Sequence, residues 1–507
     1  MFCSIHTCSL VGTAAVSVTA ETALYNGLPY FYIVGLPDST VRESKERIRS
    51  AIHSSGLTFP ANRITVNLAP AALRKAGSAF DFPIAIGILC SQGLLPSDDQ
   101  SLLSRSMLIG ELSLDGTLRP VQGALAMAQC ASALKLDRIV LPEENAAEAA
   151  LLSEIEGIEV IGVHTLRQAF DYFRGFCSLV PASSQAYVPP APDPSAYLAL
   201  MGQPLTMRAL SISAAGFHHI LIWGPPGTGK TMAAKTLYSL LPPLSQSEYL
   251  EVAAIYSSAG LPLPPGRPLR SPHHTIPLHA LTGGGQIIHP GEITLAHQGV
   301  LFMDEFAEFS GATLETLRQP LEERRICLNR LQQTVALPAD FLMIASMNPC
   351  PCGYYPDRSR CQCSFAQIRQ YLRHIRTPLT DRIDLSVMMN TPAFAALHPS
   401  SSDSFTALCG QIRTAQELQR QRFLNQPFQT NSHIPSDALP QFCPLDREGA
   451  RLLQDAAGHY QFSVRGCHRI VRVARTIADL DQEPLIRAAH LQEAIHLRFS
   501  LQEPSPT

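Results

Sequence analysis

Gly224-Pro225-Pro226-Gly227-Thr228-Gly229-Lys230-Thr231 follows the apolar run Ile220-Leu221-Ile222-Trp223 and precedes Met232-Ala233-Ala234-Lys235-Thr236-Leu237-Tyr238. The first run reads as a buried parallel strand and the last as a helix. The octet between them therefore has the strand–loop–helix context of a phosphate-binding loop. Its glycines let backbone N–H groups turn inward around phosphates, and the start of the helix adds the positive end of its dipole. Lys230 would reach the β- and γ-phosphates of ATP, and the Thr231 hydroxyl would ligate Mg²⁺. The competing reading, a chance glycine-rich turn, requires eight matched positions to coincide with that context.

A second apolar run, Gly299-Val300-Leu301-Phe302-Met303, ends in Asp304-Glu305. Many strands end in acids, so alone this says little. Downstream of a phosphate loop it gains a meaning: Asp304 would hold the Mg²⁺ shell and Glu305 would polarise the attacking water as general base.

The 507 residues allow roughly three domains. The chain is 46% hydrophobic and 16% charged, with net charge −3, so overall charge does not point to nucleic acid. Its basic residues are five lysines and 34 arginines, and arginine clusters suit phosphate even in a near-neutral chain. No apolar run reaches about 18 residues, so no membrane span is expected. Nor does the N-terminus show a basic stretch before a sustained apolar core, so no signal peptide is expected and the location read is cytoplasmic. In that setting the thirteen cysteines read as thiols or metal ligands rather than disulfides.

Residues 1–175 read as mixed α/β. Strands are expected over Ala14–Glu21, Tyr32–Pro37 and Arg63–Leu68, an amphipathic helix over Ser39–Ser54 with Val41, Ile48 and Ile52 inward, and a buried helix over Asp81–Leu89. Ile33-Val34-Gly35-Leu36-Pro37-Asp38 and Gly77-Ser78-Ala79-Phe80-Asp81-Phe82-Pro83-Ile84-Ala85 resemble the N-terminal domain of the magnesium-chelatase-like ATPases of the YifB/ComM family, which is similar to the Lon peptidase domain. Arg138–Asn145 resembles a Lon-type segment as well. In that resemblance Asp81 and Met127 stand where Lon peptidases carry their serine and lysine. An aspartate is no such nucleophile and a thioether takes no proton, so the resemblance implies a domain without peptidase activity, either purely structural or serving assembly or nucleic-acid contact.

Residues 176–195 hold Pro181, Pro189, Pro190, Pro192 and Pro194 among serines and alanines and read as a semi-rigid spacer. Residues 196–395 then resemble the family's AAA+ core, with a parallel sheet. Gly202-Gln203 and the helix after it would flank adenine. Arg270-Ser271-Pro272-His273-His274-Thr275, Leu281-Thr282-Gly283-Gly284-Gly285 and Pro290–His297 resemble the family closely. His273 and His274 read as packing or loop hydrogen-bonding groups rather than metal ligands. Gly283–Pro290 resembles a pore-facing insert, and Ile326–Leu337 a hairpin turning near Arg330, which either grips a nucleic-acid phosphate or is a solvated surface arginine. By resemblance Asn348, after the strand Phe341–Met347, would orient the water near the γ-phosphate. Arg382 would be the arginine finger inserted into a neighbour's site, which implies an oligomer.

Cys350-Pro351-Cys352 and Cys361-Gln362-Cys363 are two close pairs eight residues apart. Four thiolates so spaced would enclose tetrahedral Zn²⁺; the alternative is four reduced thiols on a loop. Residues 396–507 read as a helical lid, with helices near Phe405–Phe423, Asp446–His459, Ser463–Leu480 and Ile486–Phe499. By resemblance Arg465 is sensor 2 and would touch the γ-phosphate.

The resemblance runs nearly end to end. It implies a hexameric ATP-hydrolysing translocase or helicase on branched or single-stranded DNA, promoting branch migration during natural transformation. Two rivals are a chelatase-like or chaperone-like motor acting on a protein or metal-insertion partner, and a Lon-like protease, against which the absent dyad counts.

Overall fold

The computed structural model describes residues 2–96, 101–183, 187–200, 202–285, 288–329, 334–373, 379–390 and 401–498. Arg330, the expected turn of the hairpin, and residues 286–287 of Gly283–Pro290 fall outside them. Two sheets and a helical C-terminal region organise the chain.

The first sheet has seven strands in the order Tyr30–Val34, Arg63–Ala69, Ala14–Tyr25, Phe2–Val11, Ser106–Leu108, Arg138–Pro142, Glu159–Val163. Ala14–Tyr25 is antiparallel to both its neighbours, and the other pairings are parallel. Helix Ser39–Ser54 starts where the Asp38 carboxylate accepts from the Val41 N–H at 2.9 Å, and it buries Val41, Ile48 and Ile52. Helix Asp81–Ser91 is buried along its whole length. That explains its lack of a polar stripe, since a helix covered all round has no solvent face to pattern. Arg47 reaches across to Asp81 with hydrogen bonds of 2.6 and 3.0 Å. Burial pushes the Asp81 carboxyl up to about 6, against the pull of Arg47.

The second sheet is parallel, in the order Leu269–Arg270, Val300–Met303, Leu342–Met347, Ile220–Trp223, Leu385–Met388. Its strands are apolar without interruption because both faces are covered. Ile220, Ile222, Val300, Phe302, Leu342 and Ile344 face the lid helices, while Leu221, Trp223, Leu301, Met303, Met343 and Met347 face the opposite core. This is the period-two alternation of a strand, with apolar residues in both phases.

The C-terminal helices are Ser402–Arg422, Arg447–Tyr460, Val464–Leu480 and Ala488–Arg498. Side chains of Ser401, Asp446 and Ser463 cap the first three. Arg422 bonds Asp479 at 2.5 and 2.8 Å, and Gln419 donates to the Ala215 carbonyl at 2.9 Å, tying these helices to Pro204–Gly216.

The two sheets are also tied together. Helix Gln246–Ser258 lies against helix Ala124–Ala133, and its Tyr249, Leu250, Val252 and Ala253 share one buried cluster with Ile139, Leu141 and Val160 of the first sheet. The Gly123 N–H donates to the Ser257 carbonyl at 3.0 Å. At the hairpin between the first two strands, Gly12 approaches a second hairpin, Arg325–Asn329 with Thr334–Pro338, so closely that a Cβ there would fall 2.9 Å from both Leu337 and Val335. The proline-rich stretch is laid on this body: Tyr187 stacks on Tyr249 with ring centroids 4.0 Å apart, and Pro190 packs beside Gly266.

Candidate nucleotide site

Three neighbouring strands, Val300–Met303, Leu342–Met347 and Ile220–Trp223, deliver their C-terminal ends to one place. Crevices at such ends are where open α/β sheets bind ligands. Gly224–Gly229 leaves the Ile220–Trp223 strand and Lys230 begins the helix Lys230–Leu240. The Lys230 ammonium donates to the carbonyls of Gly224 (2.8 Å) and Pro225 (2.9 Å) and to Asn348 Oδ1 (3.1 Å). Burial pulls its pKa down, against the nearby charge of Asp304. The Thr228 hydroxyl donates to the Pro225 carbonyl at 2.9 Å and closes the loop. Thr231 is exposed at the first turn of the helix.

Asp304 follows Met303, and its Oδ1 accepts from the Ser346 hydroxyl on the adjacent strand and from the Glu305 N–H at 3.0 Å. Glu305 takes a left-handed backbone, φ 52°. That conformation strains a residue with a side chain and recurs at functional sites. It turns the carboxylate outward, where His274 Nδ1 lies 3.2 Å from Glu305 Oε2. Lys230, Asn348 and Asp304 are thus neighbours, and Glu305 stands on their rim. Thr231 and Asp304 offer oxygen ligands of the kind Mg²⁺ takes.

Arg382 and Arg465 are elsewhere. Arg382 lies in the turn before strand Leu385–Met388, at the N-terminal edge of the sheet, and pairs with Glu322 at 2.8 Å. Arg465 pairs with the same carboxylate at 3.0 Å. The far end of that strand reaches the phosphate loop, where a Cβ on Gly224 would fall 2.2 Å from the Met389 carbonyl. The whole strand thus separates the two arginines from their own chain's loop. The physical reason is an anchor one turn along the lid helix: Arg469 donates to Asp384 Oδ1 at 2.6 Å and to the Arg382 carbonyl at 2.8 Å. Asp384 is buried and also accepts from the His219 N–H at 3.0 Å. Burial opposes its charge, but Arg469, with His218 and His219 beside it, holds its carboxyl well below the usual range. Glu322, Asp384, Arg382, Arg465 and Arg469 border one cavity of about 520 Å³.

Cys350, Cys352, Cys361 and Cys363 come together directly after Asn348, with all four sulfurs within 4.8 Å of one another. Sequence reasoning missed His274 as a partner of Glu305, Ser346 as a partner of Asp304, and Glu322 as the shared partner of the arginines. Only the His-His pair was visible as a motif, and nothing in it pointed to an acid 31 positions later.

Comparison with known proteins completes the picture. Family profiles described as magnesium chelatase, subunit ChlI, match residues 197–397, with further ChlI profiles over 20–145 and, for the C-terminal part, 402–498. YifB of Salmonella typhimurium is 39% identical over 507 residues, covering 97% of this chain and 96% of its own. Competence protein ComM of Haemophilus influenzae is 38% identical over 503 residues, covering 97% of each. With the parallel sheet, phosphate loop and helical C-terminal region already described, these matches show that the chain belongs to the YifB/ComM family of magnesium-chelatase-like AAA+ proteins.

Proposed function

We propose that this protein is an ATP-hydrolysing motor that works on DNA as a closed ring, most simply a hexamer, and promotes branch migration when incoming DNA recombines. The observation that carries the ring is the separation of the two halves of the machinery. Lys230, Asn348, Asp304 and Glu305 gather at one edge of the sheet, whereas Arg382 and Arg465 gather on Glu322 at the other. An ATP held by one chain then needs the arginines of a neighbour to offset charge on its γ-phosphate, and repeating that relation closes a ring.

In this reading Gly224–Thr231 cradles the phosphates and the Lys230 ammonium exchanges its loop carbonyls for phosphate oxygens. Thr231 and Asp304 would hold Mg²⁺, which supplies charge neutralisation when bound. Asn348 orients water, and Glu305 draws a proton from it. DNA as the substrate rests on the likeness to a competence protein and on the hairpin Arg325–Pro338, the element whose counterpart faces the pore in related rings. A first sheet of inactive Lon-like type, within residues 1–175, belongs to the same reading. So does a cytoplasmic setting: no helix among the described residues is long and apolar enough to cross a membrane. The rival, a chelatase-like motor on a protein or metal-insertion partner, has the chelatase family profiles in its favour.

ATPase rates with and without branched DNA separate the two. Stimulation by a four-way junction, lost in Lys230→Ala and Glu305→Gln, supports the DNA motor. An unstimulated rate, with no junction movement, sinks it.

A further inference from the structure

The cysteine cluster is placed where it touches the nucleotide pocket. Cys350 Sγ lies 3.4 Å from Cys352 Sγ and 3.8 Å from Cys361 Sγ, and the latter two are 3.6 Å apart. A zinc ion bound tetrahedrally at about 2.3 Å per sulfur sets neighbouring sulfurs about 3.8 Å apart. A disulfide would need about 2 Å. The sulfurs therefore stand at the spacing of a metal shell and not at that of a bond. Each of the three is also near two others at once, which a single S–S bond would not produce.

The knuckle is built into the sheet end. Cys350 and Cys361 are buried in the apolar cluster that holds Trp223, Leu301 and Met347, so the metal shell and the strand ends share one core. The Tyr355 N–H donates to Cys350 Sγ at 3.4 Å, a backbone donor of the kind that supports a coordinated sulfur. The turn between Cys352 and Tyr354 is made by Gly353, φ 86°, where a Cβ would fall 2.8 Å from Pro226 Cδ of the phosphate loop and 3.8 Å from Asn348 Cγ. The same polypeptide leads from Asn348 through one proline into Cys350, and Asn348 is the side chain that Lys230 bonds at 3.1 Å.

We propose that Cys350, Cys352, Cys361 and Cys363 bind one structural Zn²⁺, and that this knuckle braces the nucleotide pocket by holding Gly353 against Pro226 and fixing the backbone that presents Asn348. The bracing role rests on the ATPase reading above; the metal site does not. Ligating sulfurs on two separate close pairs close the eight-residue loop between them, so the Asn348 end of the sheet becomes part of a cross-linked unit. Without the metal, four sulfurs are left with weak hydrogen bonds only, and the loop that contacts Pro226 is free to relax. An error of about 1 Å in positioning at a reacting centre costs up to about 100-fold in rate.

The test uses the full-length protein with three readouts: metal content, the charge-transfer spectrum of the Co²⁺-substituted protein, and ATP binding and turnover. The expected results are about one zinc per chain and a cobalt–thiolate spectrum. In Cys363→Ser the zinc is lost and turnover falls about 10-fold or more. Because a cysteine variant can unfold locally, Gly353→Val provides an independent check. It keeps the four thiolates and adds a Cβ that strains the backbone at φ 86° and presses on Pro226; in a preparation whose zinc content is measured to be intact, its ATP affinity should fall about 10-fold. Absence of zinc together with four freely titratable thiols in the native protein overturns the metal site. Zinc-free Cys363→Ser with unchanged ATP binding and turnover overturns the bracing role, as does Gly353→Val with normal ATP affinity. A zinc-loaded wild type that neither binds nor hydrolyses ATP overturns the ATPase reading, and the bracing with it, while the metal result stands.

Discussion

His274 reaches Glu305 from 31 residues away, its Nδ1 3.2 Å from the carboxylate Oε2. Its ring centroid lies 4.1 Å from that of His273, the two rings tilted by 34°, and His273 Nδ1 in turn meets the Thr275 hydroxyl at 2.8 Å. A short histidine loop thus positions the carboxylate that has the strained backbone. Removing the imidazole leaves Glu305 chemically intact but without that partner. His274→Ala should therefore lower kcat by roughly 10-fold, less than the 10²-fold or more expected of Glu305→Gln, with little change in ATP affinity. Steady-state ATPase kinetics beside equilibrium nucleotide binding distinguish this from a loss of folding. Equal rates in His274→Ala and wild type would remove the histidine from the site.

Shared engagement of Glu322 by Arg382 and Arg465 leads to a complementation test. Arg382→Ala should bind ATP and hydrolyse it at least ~10³-fold more slowly. Mixed with Lys230→Ala chains it should regain part of the rate, because Arg382 of the second chain completes the intact pocket of the first. Activity of the wild type should rise steeply with protein concentration. No recovery on mixing, or full activity at dilutions where the chain sediments as a monomer, would contradict the shared site.

Asp384 is the anchor between sheet and lid. Asp384→Ala leaves the guanidinium of Arg469 at a buried edge without its counter-charge, and breaking a buried pair in this way costs about 3–5 kcal/mol. Urea unfolding followed by circular dichroism should show that loss. A midpoint within error of wild type would mean that the lid is held by its apolar contacts alone.

Acid should weaken the protein through Asp340. Burial disfavours the Asp340 charge, but His433 at 3.3 Å, with Arg324 and His297, more than compensates and holds the carboxyl well below its ordinary value. A carboxyl depressed in the folded state binds fewer protons there than when unfolded. Its contribution is therefore complete above about pH 4 and declines as the pH falls below that. Thermal midpoints measured from about pH 6 down to about pH 3 should fall less steeply in Asp340→Asn than in wild type. Parallel slopes would assign the acid lability to other carboxylates.

The parts of the fold that can be read from the sequence are those encoded in consecutive residues. Ile220–Trp223, the octet after it and Leu342–Met347 declare themselves as apolar runs ending in polar groups, and Ser39–Ser54 as a striped helix with a carboxylate before it. Several elements, Ser106–Leu108, Ala124–Ala133 and Glu159–Val163 among them, do not announce themselves, and two show why. Phe2–Val11 mixes cysteine, histidine and serine with apolar residues. Gln246–Ser258 is buried around most of its circumference, so it has no stripe, and the reason is tertiary: it fills the gap between the two sheets. Among the site residues, Lys230, Asp304 and Glu305 carry their chemistry in local context. The meeting of Arg382 with Arg465 depends on a lid docking through Asp384, and no spacing along the chain encodes that.

The contact of Gly12 with Leu337 and Val335, together with the seam between helices Ala124–Ala133 and Gln246–Ser258, couples the seven-stranded sheet both to the strand Thr334–Pro338 and to the helix that packs beneath it. If the paired strands Arg325–Asn329 and Thr334–Pro338 shift relative to Gln246–Ser258 during a cycle, the first sheet, which touches both, is drawn along. The N-terminal third of the protein is then a follower of that pair of strands rather than a separate appendage.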